Sequence, residues 1–178
     1  MILKELMVLA KPTKINYEEL DLRSRLDKVL TLMESQTLLN NIEVIKNFHA
    51  LEVTIVGDEN QMKQVFINYI KNAIEAMKDG GKLIVEGIHL NERVHIRIID
   101  HGSGIPPEIL KRINEPFFTT KEVGKGTGLG LSTVYGIVKQ HHGWIEVTSK
   151  KGRGTIFTIF FPVSSNGHVS GTAPQNGK

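Results

Sequence analysis

An α/β sandwich of the α+β kind, two layers deep with helices on one face of a mainly antiparallel mixed sheet, is the fold class this 178-residue sequence predicts. Three observations carry that expectation. Over residues 60–77 the apolar side chains Met62, Val65, Phe66, Ile70, Ala73, Ile74 and Met77 recur at helical spacing. Two later regions, 83–99 and 144–161, are pairs of alternating, β-branched runs separated by turn-forming residues. The elements arrive in the order helix, paired strands, helix, paired strands, which suits a sheet covered on one side.

Each element has its own justification. Residues 2–10 are apolar-rich and run into Lys11-Pro12. Proline disfavours a helical conformation in the residue before it, so Pro12 is read as the stop of a helix that began upstream of Met1. A helix is expected over 18–39, where Leu20, Leu22, Leu26, Val29, Leu30 and Met33 repeat at roughly helical spacing. Strands are expected over 42–44 and 53–56, with a polar connection around Asn47. The helix over 60–77 stops at Asp79-Gly80-Gly81, and its opposite face holds Asn68 and Asn72. A hairpin over 83–88 and 94–99 turns at Asn91-Glu92, and a further helix runs from Leu129 to about His141, ended by Gly143. The last hairpin, 144–149 and 155–161, turns across 150–154 and is closed by Pro162. Residues 164–178 have the Ser, Gly, Asn and Pro content of a disordered tail.

The bulk composition narrows the chemistry. One core is expected at this length, not two large ones. A net charge of +3, dispersed along the chain, argues for neither nucleic acid nor a membrane surface as partner. There is no cysteine, which excludes disulfides, thiolate metal sites and cysteine nucleophiles and suits a reducing, cytoplasmic setting. No apolar run reaches the ~20 residues a membrane-spanning helix needs, and the first residues lack a secretory-signal pattern, so a soluble chain is predicted.

Four segments could carry chemistry. In Asn68-Tyr-Ile-Lys-Asn72-Ala-Ile-Glu75-Ala, the two asparagines lie one turn apart on one helix face, where neither is a good helix former. An amide carbonyl is a hard oxygen ligand suited to Mg²⁺, although alone the pair reads first as a polar helix face in water. In Asp100-His-Gly102-Ser-Gly104-Ile105-Pro106, glycines let the backbone approach a planar ligand, and a buried carboxylate can accept a hydrogen bond from an exocyclic amine such as N6 of adenine. Alone, it is an ordinary turn after a strand. In Gly124-Lys-Gly126-Thr-Gly128-Leu-Gly130-Leu131, alternating glycines lead into a helix, whose N-terminal N–H groups can face phosphates. A flexible glycine loop is the competing reading, and the segment is neither a dinucleotide fingerprint nor a P-loop. In Glu115-Pro-Phe117-Phe118-Thr-Thr-Lys121, two adjacent aromatics could anchor a mobile lid, or form a satellite apolar cluster.

In this order and spacing the four segments resemble the successive asparagine, first glycine, phenylalanine and second glycine boxes of the histidine-kinase branch of the ATPase superfamily that also contains gyrase, Hsp90 and MutL. The resemblance covers most of residues 50–162 and is reinforced by Gly152-Arg-Gly154-Thr155-Ile-Phe157; the run over 115–143 is most similar to nitrogen-regulator and sporulation-type kinases. It implies the Bergerat-type ATP-binding fold, with ATP and Mg²⁺ as cofactors. It implies the end of a truncated dimerisation and phosphoacceptor helix over 1–12, an ATP-binding catalytic domain over 13–163, and a tail over 164–178.

By the same resemblance, Asn72 is the metal ligand, Asn68 and Lys121 join it as catalytic residues, and Asp100 reads the adenine between Gly102 and Gly104. Lys125, Gly126, Thr127, Gly128, Leu129 and Gly130 form the phosphate loop, and Thr155 is a secondary contact near the adenine. Glu75 stands where many sensor kinases carry Lys, and Lys71, Lys121 or Lys125 would supply the positive charge.

Hydrolytic relatives carry a glutamate general base one helical turn before the metal-binding asparagine. Asn68 occupies that position and cannot take a proton near neutral pH, so water attack is expected to be slow. Transfer to a neutral imidazole needs no such base. The seven histidines, His49, His89, His95, His101, His141, His142 and His168, are none of them followed by Asp or Glu, so no acceptor pattern is present. His141 and His142 are expected at the surface of a helix end. The implied activity is therefore transfer of the ATP γ-phosphate to a histidine on a dimerisation domain that the intact protein supplies in cis, for relay to a response regulator. The alternatives are a nucleotide-binding regulatory module and a superfamily ATPase without histidine kinase activity.

Overall fold

The computed structural model describes residues 14–115, 118 and 128–164. The expected helix stump over 1–12 and, apart from Ser164, the expected tail over 164–178 lie outside the described residues. In chain order the elements are β1 (Glu18–Asp21), α1 (Leu22–Leu39), β2 (Ile42–Asn47), β3 (Thr54–Gly57), α2 (Glu59–Ala76), β4 (Gly81–Leu90), β5 (Arg93–Asp100), α3 (Pro107–Leu110), α4 (Gly130–Gln140), β6 (Trp144–Lys150) and β7 (Gly154–Pro162).

The main sheet has the order β2-β4-β5-β7-β6 and is antiparallel except for the β2–β4 pair. One face packs against the helices: Leu83 and Val85 of β4, Val94, Ile96 and Ile98 of β5, and Phe157, Ile159 and Phe161 of β7 are buried, as the two-residue period of a half-covered strand requires. From the helix side come Leu26, Val29, Leu30 and Met33 of α1, Met62, Phe66, Tyr69 and Ile70 of α2, and Val134, Ile137 and Val138 of α4. This is the two-layer sandwich expected from the patterning. α2 packs against both α1 and α4, and the ring of Tyr69 lies 4.5 Å from that of Phe157 on β7.

Four local expectations are corrected. Residues 18–21 form β1, paired antiparallel with β3, and α1 begins only at Leu22. Asp21 is the reason: its carboxylate accepts from the N–H groups of Arg23 and Ser24 at 3.0 and 3.4 Å, capping the helix there. β2 runs through Asn47, and the connection beyond it is apolar rather than polar, burying Phe48 and Leu51 against Gly87. The short α3 had no periodic signal, as expected for four residues.

The fourth correction concerns His141, which is 2% exposed rather than at the surface. Gly57 leaves the space: a Cβ there would sit 2.9 Å from the imidazole Cδ2. Nε2 accepts from the Asp58 N–H at 3.0 Å and Nδ1 lies 2.8 Å from the Ile137 carbonyl, so the ring is the Nδ1–H tautomer and neutral. It thereby ties the start of α2 to the end of α4. Burial lowers its pKa, a change only partly opposed by the Ile137 bond and by Asp58, with His142 adding to it. A histidine lowered in the folded state contributes stability that is present above its ordinary pKa and lost as pH falls through the lowered value. His141→Ala is expected to cost about 1–3 kcal/mol near neutral pH, because the Asp58 N–H is left unpaired, and less as pH falls below the ordinary histidine range. Urea unfolding of both proteins across that range checks it; a cost that does not change with pH refutes the neutral, buried imidazole.

Candidate functional site

The site is assembled on the C-terminal ends of α2 and β5. Asp100 is the last residue of β5 and is 4% exposed. It sits in a row that crosses four strands, Ser149 of β6 opposite Thr155 of β7, Thr155 opposite Asp100, and Asp100 opposite Leu83 of β4. Directly opposed residues project to the same face, so this row points inward, toward the helices. The Gly102 N–H donates to Asp100 Oδ1 at 2.9 Å. Burial pushes the Asp100 carboxyl above the ordinary carboxylate range, and hydrogen bonds from the Gly102 and Thr155 backbones and the nearby His101 offset only part of that.

Beyond Asp100 the chain is pinned on both sides. The Ser103 N–H donates to the Ala76 carbonyl at the end of α2 at 3.0 Å, and a Cβ on Gly102 would lie 2.5 Å from that oxygen. On the other side the Gly152 N–H donates to the Ser103 carbonyl at 2.6 Å, and the Ile105 N–H to Ser149 Oγ at 2.7 Å. Gly104 has φ +66° and a Cβ there would overlap the Lys150 carbonyl. The loop after β5 is thus wedged between the asparagine-bearing helix and the β6–β7 hairpin. Three segments far apart in sequence meet here.

Asn68 and Asn72 occupy half-buried positions on α2. The Asn68 amide N–H₂ donates back to the Gln64 carbonyl at 3.0 Å, and its Oδ1 faces Gly130, where a Cβ would approach to 3.1 Å. The end of the glycine segment therefore reaches the asparagine face. No hydrogen bond among the described residues holds the Asn72 amide, which leaves its carbonyl open to a ligand. Glu75, the penultimate residue of α2, is exposed.

α4 starts at Gly130 after Gly128, which has φ +69°, and Leu129, which is buried. The contrast with the other long helices is chemical. α1 and α2 are capped by the Asp21 and Asp58 carboxylates, whereas among the described residues no side chain caps α4. Its first-turn N–H groups and the positive end of its dipole are those best placed for an external anion. Lys121, Lys125, Gly126 and Thr127 lie outside the described residues, as does Phe117. Of the aromatic segment, Phe118 is seen with the Arg112 guanidinium 4.3 Å from its ring centre, and Arg112 pairs with Glu115 at 3.0 Å.

Thr155 is buried, with Oγ1 2.9 Å from Ser149 Oγ. Ser149 was not singled out in the sequence. Its signal was there: in the alternation of β6 it takes the inward position that Ile145 and Val147 hold earlier, a polar residue on the apolar parity.

Among the described residues, no group of three or more His, Asp or Glu side chains could hold a metal on protein ligands alone. Also among them, no helix is long and apolar enough to cross a membrane.

Residues 57–165 match the family model described as histidine kinase-, DNA gyrase B-, and HSP90-like ATPase. The chain is 45% identical over 163 residues to sporulation kinase A of Bacillus subtilis (strain 168), a match covering 91% of this chain and 27% of that kinase. It spans well under half the length of the curated relatives it matches. Among solved structures, a nucleotide-free catalytic domain of histidine kinase ThkA superposes with a TM-score of 0.75 at 31% identity, covering 83% of this chain and 95% of that one. ThkA in complex with the response regulator TrrA gives a TM-score of 0.77 at 27% identity, covering 92% and 46%.

Proposed function

Since the chain belongs to the histidine kinase-, DNA gyrase B-, and HSP90-like ATPase family, and within it to the histidine kinase catalytic domains, we propose that it binds ATP at Asp100 and passes the γ-phosphate to a histidine on a dimerisation and phosphoacceptor domain. The observation that carries this reading is the convergence of the Asp100 loop, the Asn68 and Asn72 face of α2, and the start of α4 on one side of the sheet. The domain is taken as residues 13–163. The phosphorylated acceptor would in turn serve a response regulator, the class of protein that ThkA is seen to bind.

Each group has a task in the transfer. Asp100 accepts the exocyclic amine of adenine, and Gly102 and Gly104 let the backbone come close to the ring. The first-turn amides of α4, reached through Gly126, Thr127, Gly128, Leu129 and Gly130, face the phosphates, with Lys121 and Lys125 adding charge. The Asn72 carbonyl, a hard oxygen with no other partner among the described residues, would hold Mg²⁺, and Asn68 lies beside it. An ion bound by one amide, with phosphates and water completing its shell, fits a site without a carboxylate cluster and would neutralise charge on the transferring phosphoryl group. The acceptor imidazole is itself the nucleophile, so no general base is needed, and Asn68 offers none to water.

The test mixes this chain with Mg²⁺, γ-labelled ATP and a separately produced helical phosphoacceptor domain, and looks for acid-labile, base-stable phosphate on the acceptor. Rapid phosphate release without an acceptor would instead favour a hydrolytic ATPase, and ATP binding without either outcome a regulatory module.

Asp100→Asn is expected to lower ATP affinity by roughly 10–100-fold, the range for a hydrogen bond to a buried charge. It should not destabilise the apoprotein at neutral pH. Asp100 is raised in the folded state, so its contribution to stability is present below its ordinary pKa and lost as pH rises through the raised value. The asparagine variant escapes that loss, so its urea midpoint relative to the parent should climb as pH rises above the ordinary carboxylate range.

A further inference from the structure

We infer that Ser149 is a specificity-determining positioning residue: it fixes the direction of the Thr155 hydroxyl so that the pocket presents only hydrogen-bond acceptors to the purine 6-position, selecting 6-amino over 6-oxo nucleotides. The inference rests on the reading of Asp100 as the adenine contact.

A serine hydroxyl has one hydrogen and two lone pairs. At Ser149 all three are engaged. The hydrogen goes to the Gly154 carbonyl at 2.9 Å, which can only accept. One lone pair takes the Ile105 N–H at 2.7 Å. The remaining contact is Thr155 Oγ1 at 2.9 Å, and it closes only if Thr155 is the donor. The Thr155 hydrogen is thereby committed away from the pocket, leaving lone pairs on Oγ1. Its neighbour across the strand pair is Asp100, whose carboxylate also only accepts. Two adjacent acceptors match an exocyclic N–H₂ and repel a carbonyl oxygen.

The geometry that enforces this is rigid. Ile105 follows the wedged Gly102–Gly104 loop, and Gly154 has φ +100° and packs so close to the Asp100 carbonyl that a Cβ there would overlap it. Ser149 is thus held by backbone on both sides and does not touch the nucleotide itself. It acts through Thr155.

The experiment measures ATP and inosine triphosphate binding by titration calorimetry for the parent, Ser149→Ala, Thr155→Val and the double variant, with Asp100→Asn alongside. Ser149→Ala frees the Thr155 hydroxyl to donate, so ATP affinity should fall about tenfold while inosine triphosphate affinity holds or rises. Thr155→Val keeps the side-chain shape and removes the acceptor, so the ATP preference should fall by a similar factor, and the double variant should be no worse than Thr155→Val alone. A Ser149→Ala protein that weakens both nucleotides equally is acting structurally, and this overturns the inference. If that variant fails to fold, a parental ATP preference in Thr155→Val overturns it equally. Unchanged ATP affinity in Asp100→Asn would remove the adenine-pocket reading itself, whereas lost affinity there with unchanged preference in both other variants removes only the role of Ser149.

Discussion

Asn72→Ala is expected to lower metal-dependent phosphotransfer by on the order of 10²–10³-fold, the scale of losing one electrostatic contact to a transition state in a preorganised site. The fold should not suffer. Asn72 is half-buried on α2, and no hydrogen bond among the described residues depends on its amide. Alanine is the better helix former, by up to about 0.7 kcal/mol, so the melting temperature should hold or rise slightly. Raising Mg²⁺ should recover part of the rate if the loss is in metal affinity. A variant that keeps parental transfer at low Mg²⁺ would show that Asn72 holds no metal. Asn68→Ala provides a contrast, because Asn68 is bonded to the Gln64 carbonyl and faces Gly130, so its loss should also disturb how α4 meets α2.

Gly154→Ala should be strongly damaging for so small a substitution. Its φ of +100° is one that an L side chain rarely adopts, and the added Cβ would overlap the Asp100 carbonyl and crowd the His101 Cα at 2.9 Å. Backbone strain of about 1–3 kcal/mol adds to a similar overpacking cost. Together they would lower the melting temperature by roughly 10 °C or more. Because the clash falls on Asp100 itself, nucleotide affinity should drop with stability. Gly136→Ala is the matched control: it lies within α4 with nothing within 4 Å of a built Cβ, and it should stabilise by about 0.5–1 kcal/mol. Thermal melts of the two variants, read beside ATP titrations, decide it; equal behaviour would mean that the hairpin does not buttress Asp100.

The candidate site was legible in the sequence where its chemistry is local. Asn68 and Asn72 share a helix face because a turn of helix puts them there, whatever surrounds them. The glycines of the Asp100 loop, of the segment before α4 and of the last hairpin announced unusual backbone, and Gly104, Gly128, Gly152 and Gly154 do take positive φ. What each segment faced was not legible. That Gly102 sits on the end of α2, or that Gly130 faces Asn68, depends on pairs separated by tens of residues. The expected surface position of His141 failed for the same reason, since its partner, the Asp58 N–H, lies 83 residues away and the space it fills exists because Gly57 lacks a side chain.

Ser149 shows the limit most clearly. Its polarity at an inward position of β6 was visible, but its three partners belong to a loop and a strand brought together only by the pairing of β6, β7 and β5. By itself the sequence determined the type and order of the main elements, the two hairpins and the four motif segments, because periodicity and turn chemistry act over a few residues. Only the tertiary structure decided the β2-β4-β5-β7-β6 order, the pairing of β1 with β3, and the closure of Asp100, Thr155 and Ser149 into one inward row. Strand pairing and hydrogen-bond saturation are contracts between distant segments, and they are met only when the whole core packs.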